Sequence, residues 1–228
     1  MIFPDSIKYI YEYYGGLGDG TSKLTVLHFG YQFVGYYARN HFIDSASIKD
    51  FQLGELKEIN LSPNLSHQFL NGCIIGGAKK LERITVDRGS EYEPFEGMVV
   101  SKDRSELCVV PKGNTYFKTP SFESAGIHVI RNWTYINAEI DSLDLTGIKL
   151  VEEKAFVEPN IRKVFLPSGV RFENQSNLKL IHPENLTIFT TISPKEYTNY
   201  YKDSNNAEYQ WNRYQVRYHA TMEEFNAF

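Results

Sequence analysis

One phrase recurs along this chain and restricts its fold more than any other feature: apolar residues spaced as L-x-x-I-x-L. It reads Leu56-Lys-Glu-Ile59-Asn-Leu61 and, 25 residues later, Leu81-Glu-Arg-Ile84-Thr-Val86. It returns as Ile140-Asp-Ser-Leu143-Asp-Leu145 and, 21 residues later, as Ile161-Arg-Lys-Val164-Phe-Leu166. Each copy ends in apolar residues at alternate positions, which suits a short strand with one buried face. Such a strand cannot bury its apolar face alone. Recurrence at a step of roughly 20–29 residues implies a coil in which each turn adds one strand to a parallel sheet.

The stretch Leu143 to Val170 shows the unit most fully. Between its two alternating runs, Ile148, Val151, Ala155-Phe156 and Ile161 fall at helix-like intervals. A weaker phrase begins at Leu178, and Leu24-Thr-Val-Leu27-His-Phe29 fits an early strand. The long step from Leu81 to Ile140 must hold an insertion and one more repeat, poorly marked within Thr115 to Ile136. The insertion reads Gly97-Met-Val-Val-Ser101, a polar turn Lys102-Asp-Arg-Ser105, then Glu106-Leu-Cys-Val-Val110-Pro111. Two β-rich runs around a short polar turn predict a β-hairpin, and Arg104 argues against a two-residue type I′ turn.

Residues 1–55 are irregular, with Gly15 to Gly20 interrupting the pattern and aromatics at Tyr31, Phe33, Tyr36 and Tyr37. They are expected to cap one end, since an uncapped terminal repeat would expose its apolar face. Leu186-Thr-Ile-Phe189 looks like a last strand, and Lys195 to Lys202 carries aromatics at helical spacing. In the tail, Trp211, Tyr214, Tyr218, Met222 and Phe225 recur every three or four residues, which predicts an amphipathic helix or turn over the last repeat. The division expected is a cap over 1–55, repeats over 56–183 with the hairpin at 97–110, and a C-terminal strand and aromatic cap over 184–228, all in one continuous solenoid.

These residues resemble the bacterial BspA-like leucine-rich repeat family. The L-x-x-I-x-L phrase is the leucine-rich-repeat strand signature. The run Phe95-Glu-Gly-Met-Val-Val-Ser-Lys-Asp-Arg-Ser-Glu-Leu-Cys-Val-Val-Pro111 is similar to a hairpin that punctuates the repeats of that family, with Met98, Val100 and Arg104 departing from its usual Leu, Tyr and Gly. Ile148 to Pro167 is similar to the repeat unit, and Ile192-Ser-Pro194, Tyr200-Tyr-Lys202 and Trp211-Asn-Arg-Tyr214 to the terminal segment. The resemblance covers roughly residues 56 to 215. It implies an α/β repeat fold: a short leucine-rich-repeat solenoid with a parallel β-sheet, an inserted β-hairpin and capping ends. It also implies a non-catalytic, surface or secreted protein that mediates adhesion, located extracellularly or at the cell surface.

Charge and composition narrow the partners. With net charge -4 the chain has no basic field of the kind that gathers nucleic acid. No window approaches the roughly 18 apolar residues of a membrane span. The start Met1-Ile-Phe-Pro-Asp5 shows no signal-peptide pattern, which leaves a cytoplasmic chain or a trimmed mature start. Cys73 and Cys108 form no C-x-x-C pair and are read as two buried thiols.

Catalytic and metal readings are weaker. Gly15 and Gly20 have phosphate-loop spacing, but Thr21 stands where that loop needs Lys, so a turn is the better account. The six histidines are scattered singly, so no metal site and no cofactor is expected. Glu152-Glu153 and Glu223-Glu224 are adjacent acids, which point apart rather than across a cleft, and suit a solvated face. What remains is a surface. The residues between the apolar positions face outward, so stacking the phrases lines up Glu58, Arg83, Ser142 and Lys163 in one row and Asn60, Thr85, Asp144 and Phe165 in the next. A mixed polar row of this kind suits a protein or glycan ligand. The alternatives are a hydrolase with its site on the irregular N-terminal part, and a purely structural spacer.

Overall fold

A computed structural model describes residues 2, 9–12, 25–28, 35–38, 41–42, 55–64, 80–110, 121–132, 134–136, 139–157, 159–173, 183–200 and 214–228. The N-terminal strands are β1 (Tyr9–Glu12), β2 (Val26–His28), β3 (Gly35–Ala38) and β4 (His41–Phe42). Two of the repeated phrases follow as β5 (Glu58–Leu61) and β6 (Arg83–Val86). Of the early phrase, Val26–His28 form a strand: β2 pairs in parallel with β5, and β5 with β6, Glu58 lying opposite Arg83 at the 25-residue step read from the sequence. A second small sheet joins β1, β3 and β4. The glycine run at 15–20, the phrase at Leu178 and Cys73 lie outside the described residues.

The insertion is a meander of three strands rather than two: β7 (Tyr92–Phe95), β8 (Met98–Ser101) and β9 (Glu106–Val109), paired antiparallel in succession. The four-residue turn Lys102 to Ser105 places Arg104 at φ 61, the left-handed region where the resemblance expects glycine. Asp103 supports that turn. Its carboxylate accepts from the Ser101 hydroxyl at 2.6 Å, the Ser105 amide at 3.0 Å and the Ser105 hydroxyl at 2.8 Å.

From β9 onward the chain coils. One turn contributes β10 (Val129–Ile130), β11 (Tyr135–Ile136) and β12 (Glu139–Asp144); the next contributes β13 (Leu150–Val151), β14 (Phe156–Val157) and β15 (Asn160–Leu166). Corresponding strands pair in parallel, with Val129 opposite Leu150, Tyr135 opposite Phe156 and Glu139 opposite Asn160, the expected 21-residue step. β16 (Arg171–Phe172), β17 (Thr187–Thr190) and β18 (Gln215–Arg217) extend the first and third of these sheets. The architecture is thus a repeating, mostly parallel β-solenoid of several turns.

No separate phrase strand for the expected extra repeat is seen among the described residues: β10 and β11 belong with β12 to the turn already marked by the phrase at Ile140, and residues 111–120 lie outside the described residues. The second strand of that turn carries Thr134-Tyr135 where the next turn has Ala155-Phe156, with Tyr135 opposite Phe156. The helix-like spacing from Ile148 to Ile161 is not a helix. The chain instead turns corners at Gly147 (φ 91) and Lys154 (φ 58), and each corner swings the next apolar residue inward. A three-sided coil and a helix both return to the interior every few residues, so the spacing alone does not separate them. Among the described residues the main apolar cluster packs Met98, Leu107, Ile130, Tyr135, Leu143, Val151, Phe156, Val164 and Ile188 together.

The four phrases do not share one sheet. Those at Leu56 and Leu81 lie in β2-β5-β6, and those at Ile140 and Ile161 in β12-β15-β17-β18. The C-terminal end also differs from the expectation. β17 is not the last strand, because β18 pairs beyond it, with Ile188 opposite Val216. The aromatic-rich run after Ser193 is the helix Pro194–Tyr200, entered by a Ser193–Glu196 capping exchange. The final helix, Met222–Ala227, begins at Thr221 with a complete capping box.

Candidate functional site

Alternation along β5 buries Ile59 and Leu61 and leaves Glu58 and Asn60 half-exposed on the opposite face. The parallel register sets Glu58 beside Arg83 and Asn60 beside both His28 and Thr85, and the His28 ring reaches diagonally to Glu58. His28 Nε2 meets Glu58 Oε1 at 3.1 Å, and Arg83 approaches Glu58 Oε2 at 3.6 Å. In the next row the Asn60 amide donates to Thr85 Oγ1 at 3.0 Å and to Asp87 Oδ1 at 3.3 Å. Four of the expected residues (Glu58, Arg83, Asn60 and Thr85) therefore meet as expected, joined by His28 and Asp87, which the sequence rows omit. These links are partly exposed and of mixed charge. Each contributes little to stability, at most about 1 kcal/mol.

The other four residues lie on the sheet β12-β15-β17-β18, where Ser142 pairs with Lys163 and Asp144 with Phe165. They do not form an open polar face. Asp144 Oδ1 accepts from the Thr146 amide at 2.8 Å and so closes a turn. Phe165 is 5% exposed, in a second apolar cluster with Phe189, Ala220 and Phe225, while Val164, Leu166 and Ile188 point into the main core. β17 is consequently buried on both faces. The covering element is the Met222–Ala227 helix: the Phe225 ring lies 5.6 Å from that of Phe165 and 5.5 Å from that of Phe189. Lys163 Nζ donates to the Phe225 carbonyl at 2.7 Å and stands over its ring.

Phe189 and Arg217 belong to this row through Phe165↔Phe189 and Phe189↔Arg217. The sequence carried the signal, since Phe189 alternates with Ile188. The 24-residue and 28-residue steps to β17 and β18 hid it.

The remaining chemical candidates have structural partners. His128 Nδ1 contacts the Gly147 carbonyl at 3.1 Å. Glu152 pairs with Arg131 at 3.2 Å and accepts from the Asn132 amide, and Glu224 accepts from the Thr221 amide in the capping box. Cys108 is fully buried, and burial first, then the nearby Glu106 carboxylate, pushes its thiol up to about 12. Among the described residues no group of three His, Cys, Asp or Glu is placed to hold a metal ion, and no helix is long and apolar enough to cross a membrane. Compared with family models, with curated proteins and with solved structures, the chain finds no match in any of the three.

Proposed function

We propose that this chain is a non-catalytic binding module of the leucine-rich-repeat type, similar to the BspA-like surface proteins, whose ligand is a protein or glycan. The observation that carries the reading is the outward face of β2-β5-β6. There His28, Glu58 and Arg83, and likewise Asn60, Thr85 and Asp87, form two groups of donors and acceptors linked through their side chains across neighbouring strands. A preformed array of this kind meets a ligand's polar groups with little reordering, which lowers the entropic cost of binding. Mixed charge favours recognition by matching hydrogen bonds over attraction to a single-sign surface.

The test is saturable binding of the full chain to a panel of extracellular-matrix proteins and glycans. Arg83→Glu and Asn60→Ala are each expected to weaken the interaction at least tenfold while circular dichroism is unchanged. Unaltered affinity in both variants, or turnover of a substrate panel that a single polar substitution abolishes, would exclude the reading.

A further inference from the structure

The sheet β2-β5-β6 ends on β6, and the described residues place no strand beyond it. The hydrogen bonds of β6 show which backbone groups that leaves over. Arg83 donates its amide to the Lys57 carbonyl and Asp87 donates to the Leu61 carbonyl, so β6 bonds to β5 through Arg83, Thr85 and Asp87. In a parallel ladder alternate residues direct their N–H and C=O to opposite sides. The amides and carbonyls of Ile84 and Val86 therefore face away from β5, and among the described residues nothing pairs with them. Ile84 is only 8% exposed, and backbone polar groups in so buried a place are almost always paired.

Two further features of β6 point the same way. Burial of the inward side chains falls off at this edge: Ile59 and Leu61 on β5 are 0% and 3% exposed, whereas Val86 on β6 is only half-buried. The outward side chains are also incompletely matched. Arg83 shares the Glu58 carboxylate with His28, and its side chain is 66% exposed. Thr85 accepts from the Asn60 amide, which leaves its own hydroxyl hydrogen for an acceptor on the far side. Backbone, core and polar face each lack the neighbour that β5 has in β6.

We infer that the β6 edge accepts a further strand, and that the partner of the polar face is a protein that binds as an extended segment added in parallel to β6. This rests on the proposal that β2-β5-β6 is a binding face and narrows its ligand from protein or glycan to a peptide strand. The register states the chemistry of that strand. Continuing the pattern by one position asks for an acid beside Arg83, an apolar residue beside Ile84, an acceptor such as Asn beside Thr85 and an apolar residue beside Val86. Backbone bonds to Ile84 and Val86 supply affinity, and the alternating side chains supply selectivity. The segment Glu58-Ile-Asn-Leu61 has this pattern and already fits β6 from its other side in the same direction.

The probe is a fluorescently labelled synthetic peptide of residues 55–62, titrated into the full chain and read by anisotropy. Saturable binding is expected. N-methylation of the peptide at Asn60, whose amide meets the Ile84 carbonyl in this register, should weaken binding at least tenfold. N-methylation at Ile59, whose amide points away, should change it less than twofold. The opposite order would mean that the peptide displaces β5 from the other side, and it would overturn the inference. Val86→Pro removes one edge amide and leaves the bonds to β5 and the polar side chains in place. It should weaken the peptide at least tenfold with circular dichroism and denaturation midpoint unchanged. Absence of saturable binding to the unaltered chain also overturns the inference, and a midpoint lowered by Val86→Pro would then assign the edge to the chain's own residues. If Arg83→Glu and Asn60→Ala weaken a ligand of the matrix panel while Val86→Pro does not, the polar face stands as a binding site and the added strand is excluded.

Discussion

Tyr135 shows how one substitution within a repeat is accommodated. It stacks on Phe156 of the next turn, ring centroids 5.1 Å apart and planes 9° from parallel, and its buried hydroxyl has no hydrogen-bond partner among the described residues. Burial pushes the phenol well above the usual tyrosine range. Tyr135→Phe removes only the stranded oxygen, so it should stabilise the protein by about 1 kcal/mol or more, read from the denaturation midpoint. Phe156→Ala deletes the ring below and should cost about 3–5 kcal/mol in the same measurement. Asp103 gives a pH signature. Hydrogen bonds from Ser101 and then Ser105 lower its carboxyl from an ordinary 3.8 to about 2. The folded value lies below the unfolded one, so the turn's stabilisation is present above about pH 4 and lost as pH falls toward 2. An NMR titration of the Asp103 carboxyl with a midpoint near 4 would refute this.

At the scale of elements, corners decide the geometry. Gly147 and Gly169 occupy equivalent corners at φ 91 and φ 88, both in the left-handed region. They differ in their surroundings. A Cβ at Gly147 would sit 2.6 Å from the Glu123 backbone nitrogen, in the helix Phe122–Ala125, whereas one at Gly169 meets nothing within 4 Å. Gly169→Ala should therefore carry backbone strain alone, about 1 kcal/mol, and Gly147→Ala distinctly more, because the helix must also shift. Paired thermal melts measure the difference, and equal losses would mean that the close approach is immaterial. The alternation and steps of β5, β6, β12 and β15 were legible because each phrase repeats the same three apolar positions. β13 and β14 were not: two-residue strands leave no alternation to read, and their corners imitate helical spacing.

For the whole molecule, each turn rests chiefly on the turns beside it, as stacked repeats do. Leu143 pairs with Val164, and Val164 with Ile188. Leu143→Ala should cost about 2–5 kcal/mol. In native-state hydrogen exchange it should lower protection at Val164 and Ile188 while sparing Ile59, which lies in the separate sheet β2-β5-β6. Uniform loss of protection would show that the stack opens as one unit. The candidate binding face was half legible on the same grounds. Glu58, Asn60, Arg83 and Thr85 meet because register follows from the repeat step, whereas Lys163 and Phe165 are closed over by a segment some sixty residues downstream.

The sequence by itself determined that the phrase at Leu56 pairs with that at Leu81 and the phrase at Ile140 with that at Ile161, and at what step, because a strand with one apolar face has to find its equivalent in the next turn; that the two pairs lie in separate sheets it did not determine. It also located the insertion and the aromatic wealth of the C-terminal tail. Only the tertiary structure decided that the tail splits into a further strand and a helix, and that this helix lies on the outward side of the sheet. The physical reason is that β17 carries a large apolar side chain on each face, Ile188 on one and Phe189 on the other: a strand of that kind needs cover on its second side, and nothing local in the chain specifies which segment will supply it.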